Sequence, residues 1–226
     1  LELLEQGIFR LRQDFHQRRL VEFGECGDYR QAADKGHAGA LAGLASLFER
    51  GAGVDKSDTD AARLYRRAAG LGSARALDSL ALMLREGRGT PKDENEAFSL
   101  FEKAASLNLP DAMAHLAEMH HKGRGTQRDM AEAVRWYGRA ADKGHAGARA
   151  TLATLLELGD GVPKDLVKAI ELYQQAAEAG DAAGMTSLGY LYEQGKGVGQ
   201  DAAKAAALYL RAAAAGDPRA AYNLAG

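Results

Sequence analysis

The sequence predicts an all-α fold of stacked helix-turn-helix repeats with a period of 36 residues. Glycine recurs at this interval, and we call the residue at each recurrence the period residue. In every full unit a Gly-x-Gly follows the period residue fifteen positions later, and an Ala-Ala pair closes the unit. One helical hairpin cannot bury its apolar face alone, whereas stacked hairpins share a continuous core. The period residues are Gly36, Gly72, Asn108, Gly144, Gly180 and Gly216.

Each unit begins with a predicted first helix. In the second unit Ala76, Leu80 and Leu84 have spacings of four and eight, which place them on one helical face. Asp181 and Asp217 precede the helix in their units and suit its N-cap. The Gly-x-Gly then ends the helix, because glycine tolerates the left-handed conformation that follows the last turn.

A short loop leads to the predicted second helix. Glu96 and Glu132 lie three residues after an aspartate and predict a capping box, in which the glutamate side chain returns to the N-cap amide. The N-cap candidates are Ser57, Asp93, Asp129, Asp165 and Asp201. The second helix is expected to bury the alanines, leucine and aromatic residue that recur on one face, in the second unit Ala97, Leu100, Phe101 and Ala104.

These signals divide the chain into repeats and two end segments. Five full units span 36–71, 72–107, 108–143, 144–179 and 180–215, and a partial sixth spans 216–226. Residues 1–35 predict an N-terminal capping helix followed by a degenerate repeat. A dimerisation or membrane-surface helix is the alternative for the amphipathic start. The other end stops within a first helix that has no polar cap, so we expect either a longer native chain or self-association there.

Composition narrows the classes of function. Basic residues number 29 and acidic residues 31, and the net charge of −2 argues against a nucleic-acid partner. Cys26 is the single cysteine, which excludes an internal disulfide framework and a cysteine-based zinc site. No stretch approaches the ~20 apolar residues of a membrane-spanning helix.

Motifs give little support for catalysis. His115, His120 and His121 cluster around Glu118 in the third unit, but His120 occupies a core position, so we expect packing rather than a metal site. The Gly-x-Gly loops follow helices rather than strands, and no P-loop, His-Glu-x-x-His or Gly-x-Ser-x-Gly motif occurs. We therefore predict no enzyme activity, no catalytic residue, no metal and no cofactor.

The repeated pattern Ala-x-x-x-Leu-Gly-x-x-Tyr-x-x-Gly-x-Gly-Val, followed by Asp-x-x-Lys-Ala and Ala-Ala, resembles that of the Sel-one-like repeat family. The resemblance covers residues 36–226, and the fifth unit matches from Leu188 to Ala213. It implies a right-handed α/α superhelical solenoid related to tetratricopeptide repeats. It also implies a non-catalytic adaptor or assembly scaffold that binds a protein or peptide, with a bacterial periplasm or cell envelope favoured over the cytoplasm.

The resemblance further implies that residues on the concave face lie at repeat positions 3, 6, 10, 13 and 14, counted from each period residue. Helical spacing places positions 3, 6, 10 and 13 in one stripe. These positions vary between units, as recognition of a partner requires, although a solvated face without a partner is the alternative. The predicted partner-binding residues are Arg75, Asp78, Leu82, Arg85, Asp111, Glu118, His121, Thr154, Glu157, Tyr190, Glu193 and Tyr222.

Side-chain chemistry indicates what this face would bind. Tyr190 and Tyr222 suit a protein interface, where tyrosine is common among the strongest contacts. They would equally stack on sugars, so the alternative function is a bacterial envelope component that binds carbohydrate or peptidoglycan. Arg75 and Arg85 are candidates for carboxylate recognition, because a guanidinium pairs a carboxylate in a planar fork.

Overall fold

The computed structural model describes residues 26–224, which are helical with short connections and contain no strand. Ten of the described helices have 13 residues each, and equivalent helices in successive repeats are offset by 36 residues. The predicted all-α repeat architecture is therefore confirmed. The capping helix that the sequence predicts falls mainly on residues 1–25, outside the described part of the chain.

The chain divides into two compact units. The first, Leu1–Leu107, contains two helical hairpins, which stack through α3 and α4. Its described helices are α1 (26–34), α2 (Ala38–Arg50), α3 (Asp58–Gly70), α4 (Ala74–Glu86) and α5 (Glu94–Ser106).

The second unit, Asn108–Gly226, contains three hairpins and one further first helix. Each second helix packs on the first helix that follows it, and the first helices α8 and α10 also touch. The helices are α6 (Pro110–Lys122), α7 (Met130–Asp142), α8 (Ala146–Leu158), α9 (Leu166–Glu178), α10 (Ala182–Gln194), α11 (Ala202–Ala214) and α12 (Pro218–Leu224).

Small residues allow the helices within each unit to approach closely. Repeat position 4 holds alanine or glycine and is buried at Ala40, Ala76, Ala112, Ala148, Gly184 and Ala220. Bulky side chains such as Tyr173 and Leu191 fill the space between them. The recurrent leucine at position 8 is buried in most repeats, but Leu152 is only partly buried and packs against the edge of the core of the second unit.

The second helices are capped by the predicted residues. The side chains of Ser57, Asp93, Asp129, Asp165 and Asp201 each accept a hydrogen bond from a backbone amide of the first turn. The prediction of a capping box is wrong, because the amide of Asp93 donates to the carbonyl of Leu84 (3.0 Å) and that of Asp129 to His120 (2.9 Å). The N-cap amide thus joins the two helices of one hairpin.

The two glycines of each Gly-x-Gly have different roles. The first, for example Gly87, ends the first helix in the left-handed conformation, with a φ of 72°. The second also has a positive φ, and at Gly89, Gly161 and Gly197 it lies against the second helix of the preceding hairpin. A Cβ atom at Gly89 would lie 2.1 Å from the carbonyl oxygen of Asp58, and one at Gly161 would lie 2.6 Å from the Cβ of Met130. Neighbouring hairpins therefore meet at a point where a side chain does not fit.

Gly89→Ala tests this close approach. We expect a loss of more than ~2 kcal/mol in the free energy of unfolding, because the new methyl group meets backbone atoms and alanine is strained at positive φ. Gly138→Ala is the control, since no atom lies within 4 Å of the added Cβ and the site is inside α7. That variant should gain ~0.5–1 kcal/mol. Equal values for the two variants in denaturant unfolding would contradict the contact.

Leu191→Ala tests the core of the second unit. Leu191 is fully buried, so its truncation should cost ~2–5 kcal/mol through lost contacts and a cavity. Leu210→Ala, at a leucine that is 61% exposed on α11, should change stability by less than ~0.5 kcal/mol. Thermal and denaturant unfolding measure both, and a small effect of Leu191→Ala would show that the core is assigned wrongly.

Candidate functional site

Residues at repeat position 13 contact the aromatic residue of their own second helix. Tyrosine hydroxyls donate to glutamates in three repeats: Tyr65 to Glu49 (3.0 Å), Tyr173 to Glu157 (2.9 Å) and Tyr209 to Glu193 (2.8 Å). In the other two, the Arg85 guanidinium lies 6.0 Å from the centre of the Phe101 ring, and the His121 and Tyr137 rings meet edge to face at 6.5 Å. The predicted partner-binding residues at this position, Arg85, His121, Glu157 and Glu193, therefore each contact the second helix of their own repeat.

Two of the glutamates are also paired with a cation from the next repeat. Arg88 Nη1 lies 2.9 Å from Glu49, and Lys196 Nζ lies 2.6 Å from Glu157. Burial, with the charge of the adjacent glutamate, raises the pKa of Tyr65 and of Tyr173 to about 12. The phenols therefore remain neutral donors, and each glutamate is fixed between a hydroxyl and a cation.

Other predicted residues have local partners or lie partly in the interior. Asp111 is exposed, and its Oδ1 lies 3.5 Å from Nε2 of His145, whose Nδ1 accepts from the amide of Ala148. Thr154 Oγ1 lies 2.9 Å from the Tyr173 hydroxyl, and Glu118 pairs with Lys122. Asp78 is buried, and Leu82 is partly buried.

A groove of about 530 Å³ in the second unit brings together three of the predicted residues, Glu157, Tyr190 and Tyr222. It lies between the first helices α8, α10 and α12, and we call it the tyrosine groove. Tyr190 is 47% exposed and Tyr222 is 82% exposed, so both rings present apolar surface to solvent. The complete lining is Glu157, Thr186, Ser187, Tyr190, Pro218, Arg219, Tyr222 and Asn223.

A buried carboxylate orders the polar side of the tyrosine groove. Asp217 accepts hydrogen bonds from Thr186 Oγ1 (2.8 Å) and from Nη2 and Nε of Arg219 (2.8 and 3.1 Å). It also accepts from the Arg219 amide, as expected of an N-cap residue. The Arg219 guanidinium holds the pKa of Asp217 at about 2. Thr186 and Arg219 are not among the predicted partner-binding residues, although they occupy positions 6 and 3 of the predicted concave stripe.

A second groove, of about 420 Å³, lies in the first unit between α2 and α4. We call it the arginine groove, because it places the predicted residue Arg75 beside Arg50. The described residues that line it are Tyr29, Gly39, Ala42, Gly43, Ser46, Leu47, Arg50, Tyr65, Ser73, Arg75 and Ser79. Both grooves form between first helices of consecutive repeats and share repeat positions 3, 6, 7 and 10. Position 7 lies outside the stripe that the sequence analysis used.

Other kinds of site receive no support from the described residues. Within 26–224, no three His, Cys, Asp or Glu side chains form a group that could hold a metal ion. Over the same range, no helix combines the length and apolar character needed to cross a membrane.

Helical hairpins with a constant period of 36 residues define an α/α repeat protein. The Sel1 repeat model matches five segments of the chain, 38–73, 74–109, 110–145, 148–181 and 182–217. These matches cover most of the sequence, and the chain belongs to the Sel1 repeat family. Proteins of this family generally mediate protein–protein interaction and are generally non-catalytic scaffolds.

Similar solved structures include two bacterial proteins with a TM-score of 0.79. One, a Sel1 repeat protein from Oxalobacter formigenes, is 33% identical over 86% of this chain and 82% of its own. The other, a protective antigen of uropathogenic Escherichia coli with an SLR fold, is 35% identical over 88% of this chain but only 43% of its own. An immunity protein from Pseudomonas aeruginosa is 26% identical, with a TM-score of 0.53, over 72% of this chain and 59% of its own. No match was found among curated proteins.

Asp217→Asn tests the buried ion pair of the tyrosine groove. At neutral pH we expect a loss of ~1–3 kcal/mol in the free energy of unfolding, because Thr186 and Arg219 lose a charged acceptor. Folding lowers the pKa of this carboxyl to about 2, so its stabilising contribution is present above about pH 4 and disappears as the pH falls towards 2. The difference between wild type and variant should therefore shrink across that range.

Thermal unfolding between pH 2 and pH 6 measures this difference. Asp55→Asn is the control, because Asp55 is an exposed loop residue, and its effect should stay within ~0.5 kcal/mol. A difference between wild type and Asp217→Asn that does not change with pH would contradict the charged pair.

Proposed function

We propose that this chain is a non-catalytic interaction module that binds a protein or peptide segment at the tyrosine groove. The observation that carries the proposal is the presence of two exposed tyrosines, Tyr190 and Tyr222, in one concavity. Tyrosine offers a large contact area at a low cost in conformational entropy, which is why it is common in binding surfaces. The volume of the groove lies within the ~300–1,000 Å³ typical of ligand sites.

The polar side chains of the tyrosine groove are ordered before any partner arrives. Glu157 is held by Tyr173 and Lys196, and Arg219 is held by two hydrogen bonds to Asp217. Side chains that are already fixed lose little entropy on binding, so more of the contact energy remains as affinity. We infer that an apolar or aromatic side chain of the partner packs between the tyrosines, while its backbone bonds to the polar rim.

The same ion pairs support a non-catalytic role. Acid–base catalysis requires a side chain that can exchange a proton at the working pH. Glu157 and Arg219 are the ionisable residues of the groove lining apart from its tyrosines, and both are engaged in internal ion pairs. Both side chains therefore already have a charged partner within the protein.

Carbohydrate or peptidoglycan binding in a bacterial envelope is the second candidate function. It rests on the same exposed rings, because a sugar face can stack on Tyr190 or Tyr222. In one function the loss of a ring weakens the binding of a peptide, and in the other it weakens the binding of a sugar. Tyr190→Ala and Tyr222→Ala therefore distinguish the two functions.

Tyr190→Ala and Tyr222→Ala test the groove with peptides selected from a random library on the wild-type chain. We expect each variant to weaken binding at least about tenfold by calorimetry, as for a central interface tyrosine. Leu210→Ala, at an exposed leucine outside the groove, is the control and should leave the affinity unchanged.

Selected peptides that bind both tyrosine variants as tightly as wild type would contradict this site. A glycan array provides the other arm of the experiment. Sugar binding that is lost in Tyr190→Ala, together with no selected peptide, would replace the first function by the second.

A further inference from the structure

The two grooves contain an arginine at the same repeat position but with different neighbours. Arg75 and Arg219 both stand at position 3, and the residue two positions earlier is Ser73 in one case and Asp217 in the other. Asp217 accepts two hydrogen bonds from the Arg219 side chain, so the charge of that guanidinium is balanced within the protein. Ser73 has no charge, and its hydroxyl accepts from the amide of Ala76.

Within the described part of the chain, the Arg75 guanidinium therefore has no anion equivalent to Asp217. Its residue is exposed, and no ion pair or hydrogen bond of its side chain occurs among residues 26–224. Arg50 adds a second guanidinium to the same lining, and its Nε donates to the carbonyl of Ser46 (3.2 Å). Among the described residues that line the arginine groove there is no carboxylate.

The nearest acidic residues along the sequence are engaged elsewhere. Glu49, beside Arg50, is bonded to the Tyr65 hydroxyl and to Arg88. Asp78, one helical turn after Arg75, is buried. The groove is thus a local positive site on a chain whose net charge is −2.

The walls of the groove suit a peptide backbone. Gly39 and Ala42 lack bulky side chains, so a chain can lie close to the start of α2, whereas the ring of Tyr29 already covers Gly43. Ser46 and Ser79 add hydroxyls that can donate to or accept from peptide groups. The lining therefore combines close access for a backbone with two cations for its side chains.

We propose that the arginine groove binds an acidic peptide segment of a partner protein, with aspartate or glutamate carboxylates on Arg75 and Arg50. A planar guanidinium matches a carboxylate with two parallel hydrogen bonds, which gives direction as well as charge. This site lies in the first unit and does not depend on the function proposed for the tyrosine groove.

Ser73→Asp gives the sharpest test, because it supplies Arg75 with the partner that Asp217 provides for Arg219. Aspartate caps a helix about as well as serine, so α4 should remain folded. Ser73→Asn is the matched control, since asparagine also caps the helix but adds no charge. Arg75→Gln removes the cation itself, and Arg67→Gln removes an exposed arginine on α3, outside the groove.

Fluorescence anisotropy with a labelled octapeptide of alternating glutamate and serine measures binding to the full chain. We expect Ser73→Asp and Arg75→Gln each to weaken binding about tenfold, the loss of one hydrogen-bonded charge contact. Ser73→Asn, Arg67→Gln and Leu210→Ala should bind as wild type does, and a peptide with glutamine in place of glutamate should not bind.

Three results would overturn the proposal. The first is no binding of the acidic octapeptide to the wild-type chain. The second is equal weakening by Arg67→Gln and Arg75→Gln, which would reveal non-specific attraction. The third is tighter, Arg75-dependent binding of an oligothymidylate of equal charge, which would assign the groove to phosphate. Circular dichroism of each variant establishes that the comparison is made between folded proteins.

Discussion

Close contact between the Gly-x-Gly loop and the preceding hairpin determines how the repeats stack. At Gly89 the backbone lies so near the start of α3 that there is no room for a Cβ atom. The N-cap amide of the next helix, for example that of Asp93, bonds back to the first helix of its own hairpin. The first contact joins one hairpin to the next, the second joins the two helices of one hairpin, and ion pairs such as Arg88 with Glu49 add to the contact between repeats. Within each unit, a groove forms between first helices of consecutive repeats.

Stacking also determines which surface residues remain available to a partner. Position 13 is used by the fold, because Glu157 and its equivalents bond to the aromatic residue of the second helix. Residues at positions 3, 6, 7 and 10 line both grooves, and Glu157 at position 13 adds to the tyrosine groove a carboxylate that Tyr173 and Lys196 already hold. The two grooves therefore share one architecture and differ in chemistry, with exposed rings at Tyr190 and Tyr222 and exposed cations at Arg50 and Arg75.

Local features could be predicted from the sequence, whereas contacts between helices could not. The period can be read directly from the recurrence of residues, and the helix ends and caps depend on residues within one turn. The structure contains all three features. The capping box at Glu96 failed because the Asp93 amide bonds to Leu84, on another helix. The pairing of Glu157 with Tyr173 could not be predicted either, because the two residues lie on different helices. The unequal environments of Arg75 and Arg219 arise from a single substitution at the cap, and its effect on charge is visible only in three dimensions.

The residue that caps the first helix also changes the charge of the groove while the helix remains capped. Serine at 73 accepts from the amide of Ala76 and aspartate at 217 from the amide of Arg219, so both cap the first turn, yet only the aspartate also pairs with the adjacent guanidinium. Exchange between these two residue types is almost silent for helix stability. Repeat arrays of this kind can thus change the charge of a groove through one residue at a helix cap without losing the helix, which is a favourable starting point for evolution and for engineering.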